Sequence, residues 1–476
     1  MSSVPEAAKP ESAIPPDPSR VESRRPSLRK RMMGASLWSA GSVGLGHVLR
    51  LGANLVVTRL LVPEMFGVMA IVLTVSIVLL NLSDVGLHQS VVRHERAKER
   101  VFLNTVWSVQ VVRGFVLCAV TVLLGLLLYA ANLMGFVPAN STYAAPVLPW
   151  VLAASGLGSI AHGFHSTSVH TAVRELDMRR YVSLELAQQI TQIVVMIVLA
   201  WLTRSIWAIV AANLIGQTLH TVLSHRLWPE VKNRWAWDRT VLSELMHFGK
   251  WLFLSSAVGV WALNADRLLL AGVADAHYMG LYSVAFGLSS AAVLVMEKLF
   301  GNVLLPAFSE MARNDPQRLA EIYLKARRRV DPVMLLGSGL LFATGPLLID
   351  ILYDERYRDA GPILSILALS LLLARYQLAH QVYLALNQPQ YHAMLNAVRV
   401  VSTFTLIPLG LALGGLFWGL VAIALRELPA VLLTLWLNAR HGLNRWRLEI
   451  GMLAWWVLGF ALGHGGNRLA QWVGFW

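Results

Sequence analysis

Residues 61–82 read LVPEMFGVMAIVLTVSIVLLNL, and this stretch decides the fold class. The 19 residues between Glu64 and Asp84 carry no charged side chain. As an α-helix they would extend about 30 Å, which is the thickness of the hydrocarbon core of a bilayer. A helix satisfies its backbone hydrogen bonds within one segment, as lipid requires. The stretch therefore predicts a membrane-spanning helix.

Similar apolar stretches recur along the whole chain. Twelve of them predict spanning helices: 35–58, 67–91, 104–131, 144–166, 181–203, 205–226, 248–272, 279–303, 332–353, 361–386, 394–414 and 416–438. A thirteenth stretch, 449–464, is shorter. Twelve spans place both termini on one side of the membrane, whereas thirteen place them on opposite sides.

The composition agrees with an integral membrane protein. The 476 residues are 56% hydrophobic and 14% charged, whereas a soluble domain carries about 25% charged residues. This excludes a soluble enzyme and a disordered protein. The single cysteine, Cys118, excludes a disulfide-stapled secreted scaffold.

The basic residues indicate the topology. Of 40 Lys and Arg residues, 28 fall in the tail and loops on one side of the predicted spans and 5 on the other. Because basic loops stay on the cytoplasmic side, the N-terminus is predicted to be cytoplasmic. The net charge of +13 then reflects topology, and no nucleic-acid partner is predicted.

Two parts of the sequence resemble each other. Residues 61–70 lead into the second predicted span, and residues 274–283 lead into the eighth; Gly67 and Gly280 occupy matching positions. Six helices per repeat give both halves the same orientation. We therefore expect an all-α polytopic membrane protein of 12 helices, or 13 with residues 449–464, in two parallel-repeat six-helix bundles around a central cavity.

The resulting domain boundaries follow the spans. Residues 1–33 contain six prolines, seven basic residues and no apolar stretch, which predicts a disordered basic cytoplasmic tail. The first bundle is expected at 34–228, a cytoplasmic linker at 229–247 and the second bundle at 248–438. Residues 439–476 form a C-terminal segment that would hold the extra helix.

Charges inside predicted spans are candidates for function, since each costs about 2.5–3.5 kcal/mol at the bilayer centre. Arg50, Arg113, Arg267 and Arg399 are the candidate substrate-binding residues of a cationic cavity. Arginine forks match phosphate geometry, so such a cavity would bind an anion such as a pyrophosphate headgroup.

Two pairs of opposite charges are adjacent in sequence: Asp266 with Arg267, and Arg426 with Glu427. Neighbouring residues on a helix do not face each other, so we expect each to pair with another helix. Asp84, Asp266 and Glu427 are the candidates for ion coupling or gating.

Other signals are weaker. His162 and His165 lie three residues apart, but no cysteine or carboxylate lies beside them in sequence, so no metal site is predicted. No P-loop motif is present, and no catalytic residue or cofactor is predicted. The basic segment 313–329 fits either an amphipathic helix on the anionic inner leaflet or a simple topology determinant.

The motifs resemble those of polysaccharide-export flippases of the multidrug/oligosaccharidyl-lipid/polysaccharide exporter superfamily, over about residues 34–438. Residues 58–67 are similar to the family's R-x-L-x-P-x-x-F-G start, and residues 385–389 to its A-L-G-x-P turn, with Asn387 in place of the usual glycine. The other matching segments are 82–87, 248–251, 264–267, 279–283, 306–309 and 316–319.

This resemblance implies a fold of two six-helix bundles around a central cavity. It also implies transport by alternating access of an undecaprenyl-diphosphate-linked oligosaccharide to the outer leaflet of a bacterial inner membrane, for exopolysaccharide, capsule or O-antigen. The protein would then be a transporter rather than an enzyme, with membrane lipid, a polysaccharide polymerase and a chain-length regulator as partners. The alternatives are a multidrug exporter of the same superfamily, a lipid II flippase, or a membrane-embedded glycan polymerase or ligase.

Overall fold

The computed structural model describes residues 28–84, 86–94, 96, 99–175, 177–300 and 304–472. Most of the predicted tail, residues 1–27, therefore lies outside the described residues. The first helix begins at Leu28, inside the predicted tail. Over the described residues the protein is all-helical, without strands.

Nine helices, α1 to α9 in chain order, cover the described residues from Leu28 to Ala271. They are α1 Leu28–Leu60, α2 Pro63–Leu82, α3 Leu87–Arg93, α4 Arg100–Leu133, α5 Leu148–Gly163, α6 Ser168–Arg174, α7 Met178–Thr203, α8 Trp207–Arg226 and α9 Arg239–Ala271. The remaining helices are α10 Ala276–Leu299, α11 Leu305–Asn314, α12 Leu319–Leu352, α13 Ala360–Ala374, α14 Gln377–Ala385, α15 Pro389–Leu425, α16 Leu428–Arg440 and α17 Trp446–Trp472. The range α15 consists of two helical segments, because its backbone is non-helical at Gly414 and Gly415, where Gly415 has a φ of 64°.

Seven segments of the described chain are long and apolar enough to cross a membrane. They are Pro63–Leu82, Arg100–Leu133, Met178–Thr203, Leu319–Leu352, Ala360–Ala385, Pro389–Arg440 and Trp446–Trp472. The protein is thus a multi-pass membrane protein. The count of 12 or 13 spans remains a prediction.

Several predicted spans are interrupted helices. The predicted span 67–91 consists of α2 and α3, which are separated by a turn where Gly86 has a φ of 70° and its amide donates to Asp84 Oδ1 at 2.9 Å. A second break follows α13, where Arg375 and Tyr376 precede α14. A third separates α15 from α16 at Arg426 and Glu427. Irregular backbone at membrane depth is tolerated only inside protein or along a cavity, so these breaks mark interior positions.

The turn before α15 explains the departure from the family pattern. Asn387 has a φ of 57°, in the left-handed region where glycine is usual. Asparagine adopts this region more readily than other side chains, so it can replace the glycine.

Helices α2 and α10 cross at the two matching glycines. A Cβ atom at Gly67 would overlap the carbonyl oxygen of Ala276, and one at Gly280 would overlap the carbonyl oxygen of Pro63. Ala276 and Pro63 are themselves matching residues. Next to this crossing, His277 Nδ1 lies 2.8 Å from an Oε1 of Glu64, its own counterpart 213 residues earlier. The two helices therefore contact each other reciprocally.

Short 3-10 turns extend this contact. In the turn Thr142–Ala144, Thr142 donates to the carbonyl of Ala274 at 2.7 Å, beyond the end of α9. In the turn Glu355–Tyr357, Tyr357 donates to the carbonyl of Leu61 at 3.1 Å, beyond the end of α1. Each half thus holds the end of the other half's first helix.

Tyr143 adds a further hydrogen bond between the same segments. Its hydroxyl donates to the carbonyl of Leu268 at 2.8 Å. Burial raises the pKa of Tyr143 to about 12, so this hydroxyl stays protonated at physiological pH.

The C-terminal helix α17 packs along α12 through small residues. A Cβ at Gly459 would overlap the carbonyl oxygen of Leu336, and Gly339 of α12 lies equally close to the backbone of Trp456. Gly459 and Gly463 are four residues apart, the spacing that lets membrane helices approach closely. With 27 residues, α17 is about 40 Å long. It extends beyond the predicted stretch 449–464 at both ends.

Candidate functional site

A buried carboxylate joins three helices of the second half. Asp266 of α9 is fully buried, and its Oδ1 lies 3.2 Å from NH1 of Arg426 at the α15–α16 break. The Tyr282 hydroxyl of α10 donates to the other carboxylate oxygen at 2.7 Å. A buried charge is tolerated when it is paired and hydrogen-bonded, and Asp266 meets both conditions.

Next along the same break, Glu427 pairs with Arg399 of α15. The Arg399 Nε lies 2.7 Å from a carboxylate oxygen of Glu427, and the two side chains are 14% and 21% exposed. These two ion pairs confirm the expectation of a partner on another helix or helix segment for Asp266, Arg426 and Glu427. For Arg267, the fourth residue of that expectation, the described residues provide no ion pair.

Arg267 lies beside the first of these pairs. Its guanidinium carbon is 4.3 Å from the centroid of the Phe286 ring, a cation–π distance. Among the described residues, no carboxylate lies within 4 Å of this guanidinium. We call Asp266, Arg267, Arg399, Arg426 and Glu427 the charged cluster; its three arginines and two carboxylates leave one net positive charge.

The other two predicted arginines lie elsewhere. Arg50 of α1 is exposed, and its Nε donates to the carbonyl of Gly46 at 3.2 Å; Gln189 of α7 donates to the same carbonyl at 2.6 Å. Arg113 of α4 donates to the carbonyl of Leu80 at 2.6 Å and to the Ser83 hydroxyl at 2.9 Å. Arg113 thus holds the C-terminal end of α2.

Arg113 and Asp84 line a cavity inside the first half. This cavity has a volume of about 480 Å³ and is lined by side chains from α2 through α8. Arg113 therefore does not join Arg267 and Arg399 in one cluster. The structure distributes the four predicted arginines over three places, and their role in binding substrate remains a prediction.

A second buried ionic network was missed from the sequence. Arg327 of α12 and Arg375 each pair with both Asp331 of α12 and Glu449 of α17. The Tyr376 hydroxyl donates to Glu449 at 2.8 Å. Arg327 is 1% exposed, so the basic segment 313–329 does not present all of its charges to lipid headgroups. The spacing of Arg327 and Asp331, four residues apart, and the acidic Glu449 beside an apolar stretch were the available signals.

Exchanging Arg399 and Glu427 tests their pairing. Arg399→Glu alone places two carboxylates together and is expected to destabilise the protein by about 3 kcal/mol, the cost of a broken buried pair. Arg399→Glu with Glu427→Arg restores opposite charges and should recover most of this loss. Thermal unfolding in detergent measures both. Arg358→Gln is the control, because its side chain is 62% exposed and pairs with Asp350 at 3.8 Å; equal losses in R399E and R358Q would contradict the assignment.

The sequence matches a known protein family and is similar to two characterised biosynthesis proteins. Residues 56–362 match a protein family described as "Polysaccharide biosynthesis protein". The chain is 21% identical over 342 residues to the lipopolysaccharide biosynthesis protein WzxC of Escherichia coli (strain K12), covering 72% of this chain and 67% of that protein. It is 24% identical over 135 residues to the amylovoran biosynthesis protein AmsL of Erwinia amylovora, covering 28% of this chain and 34% of AmsL.

Solved structures share the fold. The lipid II flippase MurJ, in an inward closed conformation, superposes with a TM-score of 0.65 at 12% identity, covering 92% of this chain and 99% of MurJ. An inward-facing multidrug resistance MATE family transporter of the MOP superfamily superposes with a TM-score of 0.64 at 15% identity, covering 83% and 94%. At these identities the likeness establishes the fold, which this chain shares with both of these transporters.

Proposed function

Because the chain belongs to the polysaccharide biosynthesis protein family, we propose that it is a flippase for an undecaprenyl-diphosphate-linked oligosaccharide. It moves this lipid from the inner to the outer leaflet of the bacterial inner membrane, where the glycan is used for exopolysaccharide, capsule or O-antigen. The proposal makes the protein a transporter and not an enzyme.

The charged cluster is the observation that supports an anionic substrate. Arg399 and Arg426 are each neutralised by a carboxylate, whereas Arg267 is held over a ring. A cation on an aromatic face keeps its N–H donors directed outward, and a guanidinium donates to phosphate in a bidentate manner. Arg267 is thus the leading candidate for the diphosphate, and Arg50, which is exposed on α1, is a second. Arg399 would act through its ion pair with Glu427, and Arg113 by holding the C-terminal end of α2.

Transport would proceed by alternating access of two parallel-repeat six-helix bundles, residues 34–228 and 248–438. They would be joined by a cytoplasmic linker, residues 229–247, whose last nine residues are the beginning of α9. The reciprocal crossing of α2 and α10 and the two 3-10 turns support this repeat. The diphosphate enters a central cavity between the bundles while the lipid tail stays in the bilayer. Opening to the outer side would separate α2 from α10.

The direction of transport fits the membrane potential. A negative interior favours outward movement of an anion by about 2.3 kcal/mol per charge per 100 mV, provided that the arginines do not move with it. An ion would reset the carrier. Asp266 is held by Arg426 and Tyr282, whereas Glu427 is 21% exposed and better placed to exchange an ion; Asp84 would act in the first half.

The proposed function also implies a topology and partners. The N-terminus lies in the cytoplasm, in agreement with the basic loops. A polymerase and a chain-length regulator would use the delivered lipid-linked units outside. Membrane lipid surrounds the chain.

Complementation of a deletion strain tests the function. We expect deletion to abolish surface polysaccharide and to accumulate the lipid-linked oligosaccharide in the inner leaflet. The wild type should rescue, and the double variant Arg50→Gln/Arg267→Gln should reduce export at least about tenfold, as expected when charge-assisted hydrogen bonds to phosphate are lost. Arg358→Gln, an exposed arginine outside the charged cluster, is the control.

Each outcome has a distinct meaning. Full rescue by R50Q/R267Q would leave the flippase and reject the two arginines as its anion site. Unchanged polysaccharide with new sensitivity to cationic compounds would favour the multidrug exporter, and arrest of cell-wall synthesis would favour the lipid II flippase.

A further inference from the structure

The cavity in the first half contains five histidines. His162 and His165 come from α5 and the segment that follows it, His88 and His170 from α3 and α6, and His220 from α8. They are dispersed over more than 130 residues of sequence, and the fold brings them together around one polar cavity. None of the residues of the charged cluster lines this cavity. We call this space the histidine cavity.

Two hydrogen-bonded histidine pairs define its interior. His220 Nδ1 lies 3.1 Å from His165 Nε2, and His88 Nδ1 lies 3.0 Å from His170 Nδ1. In each pair one nitrogen must donate and the other must accept. One added proton makes such a bond charge-assisted and therefore stronger, whereas a second proton leaves two donors facing each other. Each pair can thus hold at most one proton beyond those of its two neutral imidazoles.

One pair continues to a carboxylate at the edge of the cavity. His220 is 4% exposed, and its Nε2 lies 3.5 Å from an oxygen of Glu185 on α7, which is 47% exposed. The His162 ring lies 4.6 Å from the His165 ring. Glu185, His220 and His165 form a chain that leads from a solvent-accessible carboxylate to buried imidazoles.

The fixed charges of the cavity favour a cation. Its charged lining residues are Asp84 on the α2–α3 turn, Arg113 on α4 and Glu185 on α7. With neutral histidines the sum is one negative charge, so a single bound proton would neutralise the cavity. The other polar groups facing the histidines are Tyr181 and the side-chain amides of Gln110, Gln188 and Gln217, together with Asn81.

Gln110 links the histidines to the backbone. Its amide nitrogen donates to the carbonyls of Gly163 and His165 at 3.1 and 3.0 Å, so its oxygen faces His170 Nε2 at 3.4 Å. This fixes the proton of neutral His170 on Nε2 and makes its Nδ1 the acceptor for His88. Gln110 therefore connects His170 to the backbone between α5 and α6.

We propose that the histidine cavity is a proton-binding site in which Glu185, His220 and His165 share one proton that couples ion flow to transport. This rests on the proposed flippase function for its use, but not for proton binding itself. The site lies in the first half, apart from the charged cluster that would hold the anionic headgroup. Among the described residues, no three His, Cys, Asp or Glu side chains are arranged to hold a metal ion, so the geometry favours a proton over a metal.

Nuclear magnetic resonance of the full chain tests the site without any substrate. The protein would carry ¹⁵N-labelled histidine in lipid nanodiscs and be titrated between pH 5 and 8. We expect one imidazolium signal that is shared by two histidines. Glu185→Gln should lower the proton affinity of this pair about tenfold, because an adjacent carboxylate stabilises the charged ring. His220→Gln, which can hydrogen-bond both neighbours but cannot titrate, should abolish the shared signal. His247→Gln, an exposed histidine of α9, is the control and should leave it unchanged.

A transport assay completes the test. In proteoliposomes, a pH gradient should stimulate flipping of a fluorescent diphosphate-linked oligosaccharide by the wild type and by H247Q, but not by H220Q. An unchanged titration in E185Q would overturn the proton site. A confirmed site with no gradient effect on wild-type flipping would overturn its coupling role. Absence of flipping by the wild type would reject the proposed function, while the titration would still decide the proton site.

Discussion

Gly280→Leu is expected to prevent the protein from reaching a stable folded state. A Cβ at this position would overlap the carbonyl oxygen and carbon of Pro63, and backbone atoms cannot move aside as a flexible side chain can. Accommodating leucine would force α2 and α10 apart along their whole crossing. The cost should exceed about 3 kcal/mol, the upper end for overpacked cores, so the yield of monodisperse protein in size-exclusion chromatography should fall sharply.

The same helix provides the control for this experiment. Gly287 lies two turns further along α10, and nothing lies within 4 Å of a Cβ built there. Gly287→Leu should therefore retain normal yield and thermal stability. If G280L and G287L behave alike, the close crossing of α2 and α10 is incorrect.

Glu449→Gln is expected to lower the free energy of unfolding by about 3–5 kcal/mol, since it leaves a buried charge without its partner. Glu449 on α17 accepts from the two terminal guanidinium nitrogens of Arg327 and lies 3.4 Å from Arg375. After the substitution, Asp331 alone would face two buried arginines. Thermal unfolding in detergent should show the loss.

Two further variants separate charge from packing. Glu321→Gln removes a carboxylate of α12 that is 71% exposed and should change stability little. Arg327→Met with Glu449→Met removes one charge of each sign, and apolar replacement of a buried pair is often neutral or stabilising. An unstable double variant with a stable E449Q would show that the network does not hold α17.

The sequence predicted the membrane class and, for Asp266, Arg426 and Glu427, that the partner lies on another helix or helix segment. Adjacent charges such as Arg426 and Glu427 cannot face each other on a helix, and the ion pairs with Asp266 and Arg399 follow from this rule. Matching glycines were visible as a repeat at Gly67 and Gly280, but only the fold shows that they lie at the same crossing.

Other features could not be read from periodicity. His88, His165 and His220 are far apart in sequence, and three-dimensional proximity of this kind leaves no local pattern. The break after α2 depends on the turn at Gly86, within a predicted span whose overall hydropathy indicated a continuous helix. Likewise, Arg327 stands in a basic run whose other members Arg328 and Arg329 are exposed, and only helix packing selects which one is buried.

The contact between Glu64 and His277 has a consequence for how such a protein can arise. If the two halves are the parallel repeat proposed above, Glu64 and His277 are equivalent positions on the axis that relates them, and a dimer of identical chains would place the same residue there twice. Two glutamates at 2.8 Å would repel each other. Gene duplication and fusion remove this restriction, because each copy can then mutate independently, and an opposite or complementary residue can occupy the second position. The pair at 64 and 277 is the kind of asymmetry that an ancestral homodimer could not possess.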